Sequence, residues 1–459
     1  MPLAREIDIQ AFIDAQPFSR LQWRVWALCF GVLILDGFDV VIIGFIAPVL
    51  LLEWTSTSTA AIGVVISAGL VGLAIGALLG GPLADRFGRR PVLTVSVLFF
   101  GLMSLASALS PDVTTLSLLR FLTGIGLGAS QPTAAALASE YAPRKYRSLM
   151  VTTAYCGFAI GGSSAGLLAS YLLAGHSWRW LLVIGGLIPL GYTVLLYVAL
   201  PESVKFLAAQ RRTSSRLTGL INRISPASAD AGTSFTSPAI HLSRQGTIAS
   251  LLSPEYRRAT LAMWCGFFMN LLVAYFFNGW LPVLMTFEGF NISDCVLVGA
   301  MFQAGGILGI VIIGWEMDRF RAHRVLMLTL SAAAVLTLVL VRVQLGLHGF
   351  MALAFLLGYC INSANTGWTA MAANYYPTEM RATGISWMTG IARFGAVAGA
   401  YGGGLLLALH WQPPQLLSLL FAPLAVAVIA AGIRGAVDGR TQPDPSPALS
   451  ALSDKHPPP

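Results

Sequence analysis

Apolar residues fill this chain in long, nearly uncharged stretches separated by short polar connections. Runs long enough to cross a hydrocarbon core fall at about 23–50, 61–83, 91–109, 116–138, 148–173, 178–200, 258–285, 295–315, 325–343, 349–374, 383–408 and 415–436. They predict twelve spanning helices, each able to satisfy its own backbone hydrogen bonds in lipid. One long polar interruption, 201–257, is Ser-rich and basic and divides the helices six plus six. The expected organisation is an N-terminal six-helix bundle over 1–200, a central loop over 201–257, a C-terminal bundle over 258–437 and a tail over 438–459. That tail is Pro-rich and too poor in apolar residues to fold, so disorder is expected there. Residues 1–22 lack a short apolar core followed by a small-residue cleavage site, so the first apolar run is read as a retained helix. The fold class is an all-α membrane protein of two pseudo-symmetric bundles.

Composition agrees with that pattern. Of 459 residues 56% are hydrophobic and 10% charged, against roughly 25% charged in an average soluble domain. The net charge of +8 could suggest nucleic acid, but its placement decides otherwise. Of 28 Lys and Arg, 24 fall in connections or at the adjoining span ends on one side, Arg179 and Arg342 at span ends on the other, and Arg120 and Arg393 deeper inside spans. The positive-inside rule then predicts that both termini are cytoplasmic. Cys29, Cys156, Cys265, Cys295 and Cys360 are scattered without ligand or redox spacing, so they are read as packing residues and no metal is expected.

The two halves repeat one another. GPLADRFGRR (81–90) follows helix 2 and GWEMDRFRAHR (314–324) follows helix 8, placing Asp85 and Asp318 at matching positions. EYAPRKYR (140–147) follows helix 4 and NYYPTEMR (374–381) follows helix 10, so the Pro-x-x-x-Arg spacing also recurs, with Pro143 matching Pro377. The two matches share one offset to within a single residue, which argues for homologous bundles. Aspartates at helix ends beside arginines suit electrostatic latches, made of Asp85, Arg86, Arg89, Glu140 and Arg147 in one half and Asp318, Arg319 and Arg381 in the other. Glu140 is expected to pair with Arg147.

These residues carry a family pattern. The chain resembles the major facilitator superfamily over nearly its whole length, most specifically in GPLADRFGRR. LDGFDVVIIGFIAPVL (35–50), the helix 4 segment from Arg120 to Ser148 and the segment from Tyr375 to Gly399 are similar to the aromatic acid:proton symporter family. The resemblance implies a monomeric, proton-driven importer of a benzoate- or hydroxybenzoate-type carboxylate in a bacterial inner membrane, with no cofactor beyond the proton gradient. The second loop departs from the pattern: it lacks the glycine matching Gly88 and adds Glu316.

Ionisable residues deep in lipid cost about 2.5–3.5 kcal/mol each on insertion scales and so point to function. Asp36 and Asp39 lie near the middle of helix 1, three residues apart and on one face. Two neighbouring carboxylates in a low dielectric cannot both ionise cheaply, which suits a proton carrier. Arg393 lies at similar depth in helix 11, and its planar fork of donors suits a substrate carboxylate. Arg120 is shallower and is read either as an anion guide or as a side chain snorkelling to the interface. Tyr155, Gln303, Asn278, Asn365, Gln131, Asn362 and Thr366 add polar lining, and Trp387, Trp280, Trp368 and Phe276 offer rings for stacking.

Other chemistries fail on context. GSSAG (162–166) fits a serine-hydrolase elbow but sits within a span, where small residues permit close helix packing. GIGLG (124–128) does not follow a strand, and neither HExxH nor a Walker lysine is present, so no enzyme is expected. Within transport the rival is an efflux antiporter, but GFAIGG (157–162) lacks the proline of that signature. A non-transporting membrane sensor of the same ligand is the rival outside transport.

Overall fold

The computed structural model describes residues 6–55, 57–209, 215–225, 233–236, 248–343 and 345–441. Twelve long helices account for most of them. The first six are α1 Arg20–Glu53, α2 Thr59–Phe87, α3 Arg89–Ser107, α4 Val113–Tyr141, α5 Arg147–Leu172 and α6 Arg179–Ala199. The second six are α7 Arg257–Thr286, α8 Ile292–Arg319, α9 Ala322–Arg342, α10 Leu347–Tyr375, α11 Thr378–Ala408 and α12, built from Pro413–Leu419 and Phe421–Thr441. Among the described residues, eleven helices are long and apolar enough to cross a membrane. The one that falls short is α5, diluted by Thr152, Thr153, Ser163 and Ser164, and it packs between α1 and α8.

Local chemistry sets the helix ends. Ser19 and Gln22 form a capping box at the start of α1, and Ser58, Asp112 and Asn291 cap α2, α4 and α8. Gly88 ends α2 and opens α3 at φ 103°, a conformation that a side chain would strain. It offers no side-chain cap, and Glu202 supplies one: its Oε1 accepts from the backbone N–H of Arg89 at 2.9 Å and of Arg90 at 3.2 Å.

The internal repeat is visible in the packing. Gly161 of α5 lies against the carbonyl of Ile34 in α1, and Gly395 of α11 lies against the carbonyl of Phe268 in α7, each so close that a methyl would not fit. Both members of the contact are displaced by the interval that separates Pro143 from Pro377. That interval therefore maps α1 onto α7 and α5 onto α11, residue by residue.

The bundles meet through α2 with α11 and α5 with α8. At the end away from the termini they are closed: Thr59 Oγ1 donates to the Gly404 carbonyl at 3.0 Å, Ser163 Oγ to Ala300 at 3.4 Å, and Gly44 lies on the Asn278 carbonyl.

At the basic end the structure adds something that hydropathy did not predict. Strand Glu6–Asp8 pairs in parallel with Ser234–Thr236, and helix Ile9–Ala15 buries Ile9 and Ile13 in one core with Leu217, Ile221 and Ile224 of helix Ser215–Ile224. The N-terminus and part of the central loop thus form a floor under the first bundle. The expected tail lies, from residue 442 on, outside the described residues; before that, α12 runs on to Thr441.

Candidate functional site

At mid-depth α1, α2, α4, α5, α7 and α11 bring charges together. Asp36 is fully buried, and neither carboxyl oxygen has a hydrogen-bond partner among the described residues. Arg393, Tyr155 and Tyr275 are near enough for electrostatic interaction with it. Arg393 crosses from the second bundle to the first, where NH1 donates to the Leu73 carbonyl at 2.7 Å and NH2 to Gln131 Oε1 at 3.5 Å. Its hydrogen-bond acceptors are therefore neutral, and a carboxylate that displaced them would gain the charge-assisted fork.

The two aspartates of helix 1 do not share an environment. Asp39 Oδ2 meets Arg120 NH1 at 3.0 Å, while Oδ1 accepts from Ser104 Oγ at 2.6 Å. Arg120 also donates to Ser107 Oγ at 3.0 Å, and the pair is 2% and 3% exposed. Arg120 is thus neither a snorkelling side chain nor an open anion guide. It lies in the first bundle as the counter-ion of Asp39, whose charge would otherwise be stranded. A cavity of about 30 Å3 touches Asp39, Arg120 and Leu73, large enough for water between this pair and the residue that holds Arg393.

The polar lining divides. Asn365 accepts from Asn270 Nδ2 at 2.5 Å. Gln303 is buried against Gly162, and the buried Asn278 Oδ1 has no donor among the described residues. Trp387 stands apart from the charged centre: it is 42% exposed in a stripe with Phe394, Tyr401 and Leu405, and it stacks on Trp264 at 6.3 Å. Spacings of seven, seven and four residues hold that stripe on one helix face, and its upper members lie where the bundles are closed, so it is outer perimeter. Trp280 and Trp368 are buried among helices, with Trp280 Nε1 donating to the Ala400 carbonyl at 2.7 Å.

At the basic end the residues expected to form the first latch pair within their own half. Arg89 NH2 meets Asp85 Oδ1 at 2.6 Å and its Nε meets Glu140 Oε1 at 3.2 Å. The expected pairing of Glu140 with Arg147 is replaced by this one, because Arg147 NH2 instead donates to Gln10 Oε1 of the floor at 2.6 Å. Arg86 lies over the Phe87 ring. In the second half Arg319 lies over Trp315, Arg381 donates to the Tyr376 carbonyl, and Asp318 makes no ion pair among the described residues. Burial, and then nearby Arg147, hold the Lys205 ammonium of the floor below the usual lysine range.

Among the residues of these networks that the sequence motifs do not single out are Tyr275, Asn270, Glu202, Ser104 and Ser107. Asn270 carried a signal, since it follows Asp36 by the same interval that relates the two Pro-x-x-x-Arg loops.

Comparison with known proteins fits this arrangement. Two overlapping stretches, residues 29–348 and 263–456, match the Major Facilitator Superfamily. The 4-hydroxybenzoate transporter PcaK of Pseudomonas aeruginosa is 43% identical over 444 residues, covering 95% of this chain and 98% of its own. The gallate transporter of Pseudomonas putida is 41% identical, covering 94% and 95%. The benzoate transport protein of Acinetobacter baylyi is 31% identical, covering 89% and 88%. Among solved structures, the D-xylose-proton symporter superposes with a TM-score of 0.70 at 16% identity over 90% of this chain and 97% of that one. The inward-open xylose transporter XylE from E. coli gives 0.68 at 16% over 89% and 94%. With the repeat seen in the packing and the charges gathered between the halves, these matches identify a transporter rather than an enzyme: the chain belongs to the Major Facilitator Superfamily, beside relatives named for the aromatic acids they carry.

Proposed function

We propose that this protein imports a benzoate- or hydroxybenzoate-type carboxylate together with protons, by alternating access, across a bacterial inner membrane with both termini cytoplasmic. The observation that carries the reading is Arg393 at mid-depth, hydrogen-bonded to neutral acceptors and facing an unpartnered Asp36. A substrate carboxylate takes the guanidinium fork from the Leu73 carbonyl and Gln131. Charge balance then supplies the coupling. In a low-dielectric centre the favourable states are those near neutrality: Arg393 with ionised Asp36 when empty, Arg393 with the substrate anion and protonated Asp36 when loaded. Each carboxylate thus brings a proton with it. Asp39 remains a second candidate carrier, held by Arg120 in this state.

The bundles are closed at the end away from the termini, and the latches make no ion pair between halves among the described residues. We read this as the cytoplasm-facing state, from which rocking of the two bundles around the central site reopens the outer side.

The test is uptake in proteoliposomes under an imposed pH gradient. Wild type should accumulate labelled 4-hydroxybenzoate and collapse with a protonophore. Asp36→Asn should lose accumulation while keeping substrate exchange, since an amide cannot cycle a proton. Accumulation by Asp36→Asn at the wild-type level would remove this carboxyl from the coupling.

A further inference from the structure

We infer that the amide pair Asn270–Asn365 reads a hydroxyl group on the substrate ring, at the end opposite the carboxylate; this rests on the aromatic-carboxylate reading above. The repeat offset, fixed by the glycine contacts of α5 and α11, makes Asn270 the mate of Asp36. It likewise makes Asn365 the mate of Gln131, the residue that receives Arg393 from across the interface. The second bundle therefore places an amide pair where the first turns Asp36 and Gln131 toward the centre.

The hydrogen bonding of that pair is one-sided. Asn270 is fully buried, and its amide nitrogen donates to Asn365 Oδ1 at 2.5 Å and to the Ile361 carbonyl at 3.4 Å. Its Oδ1 is buried and accepts from no donor among the described residues. A carboxylate has only acceptors and gains nothing from a lone acceptor, whereas a phenolic hydroxyl carries the missing donor. Arg393 is the complement, offering donors alone.

Depth agrees. Gly395 lies level with Phe268, and α7 and α11 run in the same direction. Asn270 is two residues beyond Phe268 and Arg393 two residues before Gly395, so they differ by about 6 Å along the bundle axis. That separation suits the two ends of one ring substituted at opposite positions.

The experiment measures dissociation constants of 4-hydroxybenzoate, 4-fluorobenzoate and benzoate with the purified full-length protein, for wild type and Asn270→Leu. Fluorine replaces the hydroxyl at nearly its size but cannot donate. The fluoro-to-hydroxy ratio is taken within each protein, so a loss of folded fraction cancels. Wild type should prefer the hydroxyl by about tenfold, the effect of one well-placed hydrogen bond to a buried group, and in Asn270→Leu the ratio should fall to near one. A wild type indifferent to the exchange, or an Asn270→Leu variant that keeps the preference, overturns the assignment. Failure of wild type to bind any of the three overturns the aromatic-carboxylate reading and this inference with it, whereas binding of all three without discrimination overturns this inference alone.

Discussion

The two bundles share a packing register but not a charge plan. In the first, α1 carries Asp36 and Asp39, and Arg120 of α4 neutralises the latter inside the bundle. Carried across the repeat, Asp36 becomes Asn270, Asp39 becomes Val273 and Arg120 becomes Ala354. The second bundle holds neutral amides and apolar packing there, and contributes one cation, Arg393, from a helix whose counterpart in the first has Ala159. On the proposed function, the duplicated scaffolds divide the labour: one half supplies the proton-carrying groups, the other the group that takes the anion. The loops differ likewise, with Asp85 engaged by Arg89 and Asp318 unpaired among the described residues.

Removing Arg393 should break this division most completely. Arg393→Ala should lower substrate affinity at least about thirtyfold, in line with about 2–5 kcal/mol for truncating one member of a buried charge-assisted contact. Arg393→Lys should fail almost as badly, because an ammonium lacks the planar fork. Tight equilibrium binding by either variant would make Arg393 a structural strut.

Next in size is the ion pair peculiar to the first half. Arg120→Ala strands a buried carboxylate and should destabilise by about 3–5 kcal/mol. Installing the second half's solution, Asp39→Val with Arg120→Ala, should recover most of that loss in thermal melts in detergent. A double variant no more stable than the single one would show that the pair does not act as an isolated unit.

The latches should give smaller, kinetic effects. Asp85→Asn should reduce the maximal uptake rate more than Asp318→Asn, with equilibrium affinity changed only a few-fold in both, measured at equal expression. A large affinity loss at unchanged turnover would place these aspartates in the binding site.

The smallest effect concerns Glu202. Replacing it with Gln keeps an acceptor for the backbone of Arg89 and Arg90 but removes the charge at a helix N-terminus, worth about 0.3–1 kcal/mol. Melting should shift slightly, and Glu202→Ala by about 1 kcal/mol more. No change in the alanine variant would show that the start of α3 needs no cap.

Much of this was legible in the sequence. Helix number, the repeat offset and the positions of Asp36 and Arg393 within their helices follow from apolar run lengths and loop motifs, which act locally. What was hidden depended on side-chain partners. Arg120 looked like an interfacial residue by depth, and only the packing of α1, α3 and α4 shows Asp39 and Ser107 beside it. Trp387 looked like a ring platform by composition, but helix rotation, which hydropathy leaves undetermined, turns it outward. Glu202 and the floor escaped because a short amphipathic helix in a polar loop carries no membrane-length signal.

The strand at Glu6–Asp8 has its partner at Ser234–Thr236, and this constrains how the protein is made. The N-terminus leaves the ribosome first, yet its mate appears more than two hundred residues later. At about 5–20 residues per second this leaves the leading segment waiting roughly 10–50 s. Throughout that time Ile9 and Ile13, buried in the finished protein, lack their cover from Leu217, Ile221 and Ile224. Six helices are inserted before the floor beneath them can close, so completion of the first bundle awaits the connector. A nascent chain arrested before residue 236 should therefore leave its N-terminal segment open to protease, and one arrested far enough beyond it for the strand to emerge should protect it.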